Sequence, residues 1–484
     1  MAFARALLGS FLVHVTLGSF YCWGNIAPYV TSYMKWHRLL GSFLVHVTLG
    51  SFYCWGNIAP YVTSYLKWHS PEASYATTSW VFSICGFCLG AFMSLGGALH
   101  AQLGLRATTL LGGWTLSLGV WLSSWTVQQG LWPFVCTYSV MLGLGVGIAY
   151  TAPIKCLMGW LPERKGLATG LVVLGFGSGA SMLDPLQAAL VNPRNLAPTL
   201  IEGGAAYFDW ADAEVRVDVL ERVPAMFRTL GAMYACAQLV GVLLMVEAPE
   251  GQPTTSVAPA KVGLLAADQL EGARGGETDL KQPAAVFRKQ YGALEMLRAW
   301  QFWLLALNFC VNTQAVFFGA SFSKTAGSAL IPGGASDSQL TAIAATASFC
   351  NGMGRILWGL LSDRGGFRIS MLILCFLQSS LLATLPLCVN STMYGVWSCG
   401  IMLCVGGNFT LFPAAMAHYF GERNLGQNYG LLFLAQSLSM LAAPKVAGIF
   451  LAAGSIAGLC RADALFVLVG AACAAANRPP SGAA

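Results

Sequence analysis

The sequence predicts an all-α integral membrane protein built as two six-helix halves. Three observations carry this prediction. Only 10% of the residues are charged while 56% are hydrophobic, with a mean hydropathy of +0.63; soluble domains carry about 25% charged residues. Apolar runs long enough to cross a bilayer recur along the whole chain. Finally, one motif occurs twice at a half-chain spacing. GLLSDRGGFR at Gly359–Arg368 has a degraded copy 262 residues earlier, GALHAQLGLR at Gly97–Arg106, which keeps two glycines, the leucine and the last arginine.

Taken in order, the chain begins with a duplication. Leu7–His37 and Leu39–His69 are the same sequence offset by 32 residues, differing only at Met34 against Leu66. Natural repeats drift and this one has not, so residues 1–38 read as a surplus copy of the first helix or an artefact. The apolar region is too long for a cleavable signal peptide and has no small-residue cleavage site. The second copy, Leu40–Tyr65, supplies the first span. Further spans are predicted at Ala76–Leu99, Thr108–Trp125, Leu131–Cys156, Leu167–Leu190 and Phe227–Val246, completing an N-terminal half over 39–246. A second set follows over 299–476: Trp300–Lys324, Leu340–Leu361, Ile369–Leu387, Tyr394–Tyr419, Tyr429–Phe450 and Leu459–Ala475. The last has a short apolar core, because Arg461 and Asp463 stand near its start. Twelve spans result, with a polar, Gly-, Pro- and Ala-rich linker over 247–298 and a tail over 477–484.

Between the fifth and sixth spans, YFDWADAEVRVDVLERVP repeats valine at Val215, Val219 and Val223, which predicts a short amphipathic helix at the membrane surface. Short loops on one side receive Arg106, Arg164, Lys165, Arg364, Arg368 and Arg423, and those on the other Lys67, Lys324 and Arg461. The first side is therefore expected to be cytoplasmic, with both termini. The sequon at Asn390 then falls outside, close to the membrane.

Several motifs have plainer readings than their patterns suggest. The glycine-rich GLGVGIAY (Gly143–Tyr150) and GFGSGA (Gly175–Ala180) lie inside spans, without the strand–turn–helix context of a phosphate loop, and predict close helix packing. Cys85 and Cys88 lie within a span as two small side chains on one face, so no metal site, cofactor or catalytic group is implied. No basic tract suits a nucleic acid. The expected partners are the lipid bilayer and a small solute.

Among charged positions within spans, Arg355 stands out. A charge there is costly unless it faces a cavity or a partner, which makes it a functional candidate. His46 is a candidate proton-coupling group because histidine titrates near neutrality. Asp184, Lys155 and Lys445 are expected near a membrane surface, where long side chains snorkel. The halves also match around Gly145–Gly170 and Val405–Gly430, with Pro153 against Pro413 offset by 260. Internal repeats of this kind mark secondary transporters, whose sites lie between the repeats.

The turn at Gly359–Arg368 fits the pattern G-x-L-x-D-R-x-G-x-R found between helices of major facilitator carriers. Within that superfamily the chain resembles the oxalate/formate antiporter family, through LGSFYCWGNIAPYV, GIAYTAP with GWLPERKGLATGLVVLGFGSGA, NGMGRILWGLLSDR and YFGERNLGQNYGLLF. These blocks run from about Leu40 to Phe450; monocarboxylate carriers are the next resemblance. The resemblance implies a major facilitator fold and alternating-access carriage of a small organic anion, with a co-transported proton or an exchanged anion. It implies that Arg355, Tyr53, Trp55 and Tyr150 face the substrate, and that Asp363, Arg364 and Arg368 form a gating turn. One departure matters: Gln436 stands where the bacterial oxalate carrier has a lysine, which favours a monocarboxylate over a dianion. The plasma membrane is the expected location. A non-transporting sensor with the same fold is the rival class, although the linker carries no recognisable signalling module.

Overall fold

The computed structural model describes residues 36–160, 165–202, 205–246, 290–421 and 424–479. Most of the first repeat copy, most of the linker, the end of the tail, Arg164 and Arg423 lie outside these residues. Nine helices among the described residues are long and apolar enough to cross a membrane. One of them, Asp337–Leu387, holds two spans; the third span continues past His100 to Thr126, and Lys165–Val191 supplies the fifth. The predicted twelve are thus present in order.

The first span runs over Leu39–His69, the second and third over Tyr75–Thr126, the fourth over Leu131–Leu157 and the sixth over Val223–Leu244. In the second half, the seventh span is Trp300–Leu330, the eighth and ninth lie in Asp337–Thr384, and the tenth is Ser391–Phe420. The eleventh is Leu425–Ala452 and the twelfth Ile456–Ala476. The twelfth is slightly longer than the predicted Leu459–Ala475, and Asp463 within it is buried.

The repeated motif has the same geometry in both halves. The chain turns between spans at Gly104 (φ 75°) and at Gly366 (φ 73°), which are equivalent positions of the two copies. A left-handed φ is strained for any residue with a Cβ, which accounts for glycine at both. The last arginine of each copy then ties its turn to the end of its own half. Arg106 Nε donates to the Met245 carbonyl at 3.0 Å, and Arg368 Nη2 donates to the Ala475 carbonyl at 2.5 Å.

The interior is held at short range by small residues, as membrane helices require where lipid offers no competing hydrophobic drive. A Cβ on Gly143 would lie 2.3 Å from the Cys85 carbonyl, and one on Gly147 2.6 Å from that of Leu89, so these two face the second span. Gly145 faces the third span, 2.5 Å from the Gly112 carbonyl. On the fifth span, Gly175 and Gly179 close onto the first span at Phe43 and Gly50. The glycine runs therefore serve packing. Between the fifth and sixth spans, Leu200–Glu202 pairs antiparallel with Ala205–Tyr207, and the short helix Ala213–Asp218 follows. Val215, Val219 and Val223 are all buried, but only Val215 lies on this helix: it ends at Asp218, a 3-10 turn follows, and Val223 begins the sixth span. Asn390 caps the tenth span, its side chain accepting from the Met393 N–H at 2.8 Å.

Candidate functional site

The NGMGR stretch places Arg355 between the two halves. Gly352 sits against Leu174 and Ser178 of the fifth span, while a Cβ on Gly354 would meet the Leu403 carbonyl of the tenth span at 2.2 Å. Gly177 completes the approach: a Cβ there would lie 2.8 Å from Arg355 Nε. With the helices this close, the Arg355 side chain is only 2% exposed. Its guanidinium lies between two aromatic faces, 5.4 Å from the Phe176 ring centre and 4.9 Å from that of Phe409. Such contacts favour a cation. Nη2 donates weakly to the Tyr53 hydroxyl at 3.4 Å, and neither Nε nor Nη1 has a hydrogen-bond partner. Among the described residues no carboxylate pairs with it.

The two rings that flank this guanidinium, Phe176 and Phe409, line a small cavity together with Tyr53, Tyr150 and Gln436. Gln436, from the eleventh span, is 3% exposed and its Oε1 has no partner. Tyr150 stands edge-on to Phe176, with ring centres 5.1 Å apart. The structure thus brings Arg355, Gln436, Tyr53 and Tyr150 to one place. His46 flanks it: its ring centre is 5.3 Å from that of Tyr150, Nδ1 is 3.2 Å from the Ser42 carbonyl, and Nε2 has no partner.

Trp55 is elsewhere. Two residues beyond Tyr53, it points towards the fourth span and packs against Tyr138 and Phe134, with ring centres 5.8 and 6.3 Å apart. The helix's turn of about 100° per residue carries it away from the cavity. Asp363 and Arg364 are exposed at the turn and make no ion pair among the described residues, whereas Arg368 makes the carbonyl clamp described above.

Two charged positions differ from their sequence reading. Lys324 was assigned to a loop, but the seventh span continues to Leu330 and buries it to 1% exposure. Asp184 was placed near a membrane surface. It is instead buried at 2% exposure, facing inward on a fifth span that ends at Val191, one residue beyond the expected Leu190. Lys155 and Lys445 are exposed.

Lys324 belongs to a polar cluster at the end of the bundle opposite the motif turns. Its ammonium is 2.7 Å from Asp337 Oδ1 and donates to the Tyr61 hydroxyl at 2.7 Å. Tyr61 donates in turn to Asp337 Oδ2, which also accepts from Asn192 Nδ2 at 3.0 Å. Asp337 occupies the first turn of the eighth span, where the helix dipole favours an anion. Nearby, Asn195 Oδ1 accepts from the Ser338 N–H at 2.6 Å, and Thr341 donates to Asn57 Oδ1 at 3.3 Å. Tyr61, Asn57, Asn192 and Asn195 belong to the first half; Lys324, Asp337, Ser338 and Thr341 belong to the second. The cluster therefore latches the halves together at one end. The sequence hides this cluster because the apolar run of the seventh span ends near Lys324, whereas the helix continues to Leu330.

Two related helical halves, a buried polar centre between them and a latch across one end define a secondary carrier of the membrane. The chain belongs to the Major Facilitator Superfamily, whose sequence pattern matches residues 15–333 and 330–483. It is similar to Apicoplast pyruvate carrier 1 of Toxoplasma gondii, with 32% identity over 456 residues that cover 90% of this chain and 81% of that one. The Oxalate:formate antiporter of Oxalobacter formigenes is 23% identical over 361 residues, covering 72% of this chain and 69% of its own. Among solved structures, a D-xylose-proton symporter superposes with a TM-score of 0.62 at 12% identity, covering 93% of this chain and 99% of the other, a likeness of fold alone.

Proposed function

We propose that the chain carries a small monocarboxylate, of the pyruvate, lactate or formate type, by alternating access about the Arg355 cavity. The observation that supports this most is the buried guanidinium with two unpartnered nitrogens and, among the described residues, no counter-ion. Leaving a charge unpaired in a low-dielectric interior costs several kcal/mol, which a bound anion would offset. A guanidinium holds one carboxylate through two parallel hydrogen bonds. Gln436 and Tyr53 would add neutral hydrogen bonds, and Tyr150 with the phenylalanines would exclude water. One fixed charge beside one neutral amide matches a single carboxylate and leaves a second uncompensated. The names of the similar carriers, for pyruvate and for oxalate with formate, agree with this class.

In this reading the motif end, with Arg106 and Arg368, faces the cytoplasm, and the Lys324–Asp337 latch closes the outer side. Asp363 and Arg364 act on the balance of conformations without touching substrate. The plasma membrane is the proposed site; imaging of the tagged chain tells it from an organelle membrane. Uptake of labelled pyruvate, lactate, formate and oxalate into liposomes holding the purified chain tests the function. The expected result is uptake of the monocarboxylates in preference to oxalate. No uptake of any carboxylate, from correctly inserted protein, would refute it.

A further inference from the structure

We infer that Asp184 is a proton-binding site that couples carriage of the anion to a proton gradient by competing with Asp337 for Lys324. The inference rests on the reading of the chain as an anion carrier. Asp184 Oδ1 is buried without a hydrogen-bond partner; Asn57 donates to the Asp184 backbone carbonyl and to Gln187, and the Cys54 thiol is the group that bonds the side chain. Asp184 borders a second cavity, which Ser323 and Tyr394 also line. Tyr53 lines both this cavity and the one beside Arg355. Asp184 follows Gly177 by seven residues, two helical turns, so it lies on the same face roughly 10 Å nearer the latch. The order along the seam is therefore anion site, Asp184, latch.

The titratable side chains whose charge bears on Asp184 come from several elements: Cys54, which also hydrogen-bonds it, and Tyr61 from the first span, Tyr138 from the fourth, Tyr234 from the sixth and Lys324 from the seventh; Tyr394 of the tenth lines the same cavity. Among these Lys324 is the cation, and in the latched state it is held by Asp337 and Tyr61. A carboxylate shut into this interior without a cation of its own takes a proton rather than remain ionised. The step balances simply: one carboxylate oxygen bonds a proton delivered by hydronium, and water is left.

When the latch parts, Lys324 loses Tyr61 and the seam admits water. Asp184 then ionises, with Lys324 as the cation whose charge bears on it. A proton arriving from the opened side neutralises Asp184, returns Lys324 to Asp337 and Tyr61, and favours closure over the loaded anion. His46 serves this purpose less well, because a second positive charge would form in the aromatic pocket that already holds Arg355.

The test uses the full chain reconstituted in liposomes, with labelled pyruvate. Uptake by the unaltered carrier should be driven by an inwardly directed proton gradient. In D184N that response should be lost, and the rate of exchange should cease to depend on pH; accumulation by D184N that still follows the gradient would overturn the inference. Infrared spectroscopy of the purified protein supplies a readout that needs no substrate. A carbonyl band of a protonated carboxyl should be present near neutral pH and absent in D184N, and an unchanged band would overturn the inference. Should D184N fail to insert, D184E must shift that band, and an unshifted band is again the contrary result. If the carrier moves no carboxylate at all, the infrared outcome still decides the role of Asp184, and the anion reading fails on its own.

Discussion

Replacing Tyr61 by phenylalanine separates the latch from the ion pair within it. The ring keeps its contact with Phe208, whose centre is 5.2 Å away, while the hydroxyl that receives from Lys324 and donates to Asp337 is removed. Both lost hydrogen bonds involve charged groups, each contributing about 1.5–3 kcal/mol. Lys324 and Asp337 still hold each other, and Asn192 still donates to Asp337, so no charge is orphaned. Taking the lower figure for each bond, the latched state loses about 3 kcal/mol relative to the parted one, a shift of roughly 100-fold in their ratio. A cysteine at Thr341, in a background freed of the 15 native cysteines, reports that ratio through its rate of labelling by an impermeant thiol reagent added outside. Tyr61→Phe should accelerate labelling towards that factor. Labelling at the parental rate would refute the assignment of this cluster as an inter-half latch.

Two further outcomes are expected. Gly366→Ala forces a Cβ into a left-handed conformation and should cost about 1–2 kcal/mol, read as a lower thermal midpoint in detergent with the substrate ranking unchanged; Gly365→Ala, where the nearest atom to an added Cβ is 3.8 Å away, is the control and should not lower it. Gln436→Lys adds a second positive charge to the cavity and should move preference from monocarboxylates towards oxalate, measured by competition against labelled pyruvate.

The fold was legible because a membrane helix declares itself through composition over its whole length, and the two motif copies announced the halves. Arg355 was legible for a related reason: a charge amid apolar residues stands out. What stayed hidden depended on where each helix ends. Lys324 lies near the end of an apolar run, and a boundary drawn there turned a buried ion-pair residue into a loop residue. Asp184 lies in the last turns of the fifth span, and whether a side chain there faces the bundle or the membrane surface is set by packing that no local pattern shows. Trp55 shared a sequence block with Tyr53, yet helical rotation sends the two side chains to different neighbours, a distinction that a block resemblance does not carry. The latch joins positions as far apart as Tyr61 and Asp337, 276 residues, and no local pattern encodes such a pairing.

The central claim is that the unpaired Arg355 guanidinium is the seat of the anion, and equilibrium binding to the purified carrier tests it most directly. Titration of pyruvate into the unaltered protein should give saturable binding. Arg355→Lys keeps the charge but forfeits one of two parallel hydrogen bonds, about 1.5–3 kcal/mol, and should weaken binding roughly 10- to 100-fold. Arg355→Gln, in protein that remains folded by its thermal midpoint, should abolish it. Pyruvate binding by Arg355→Gln with unaltered affinity would contradict the account.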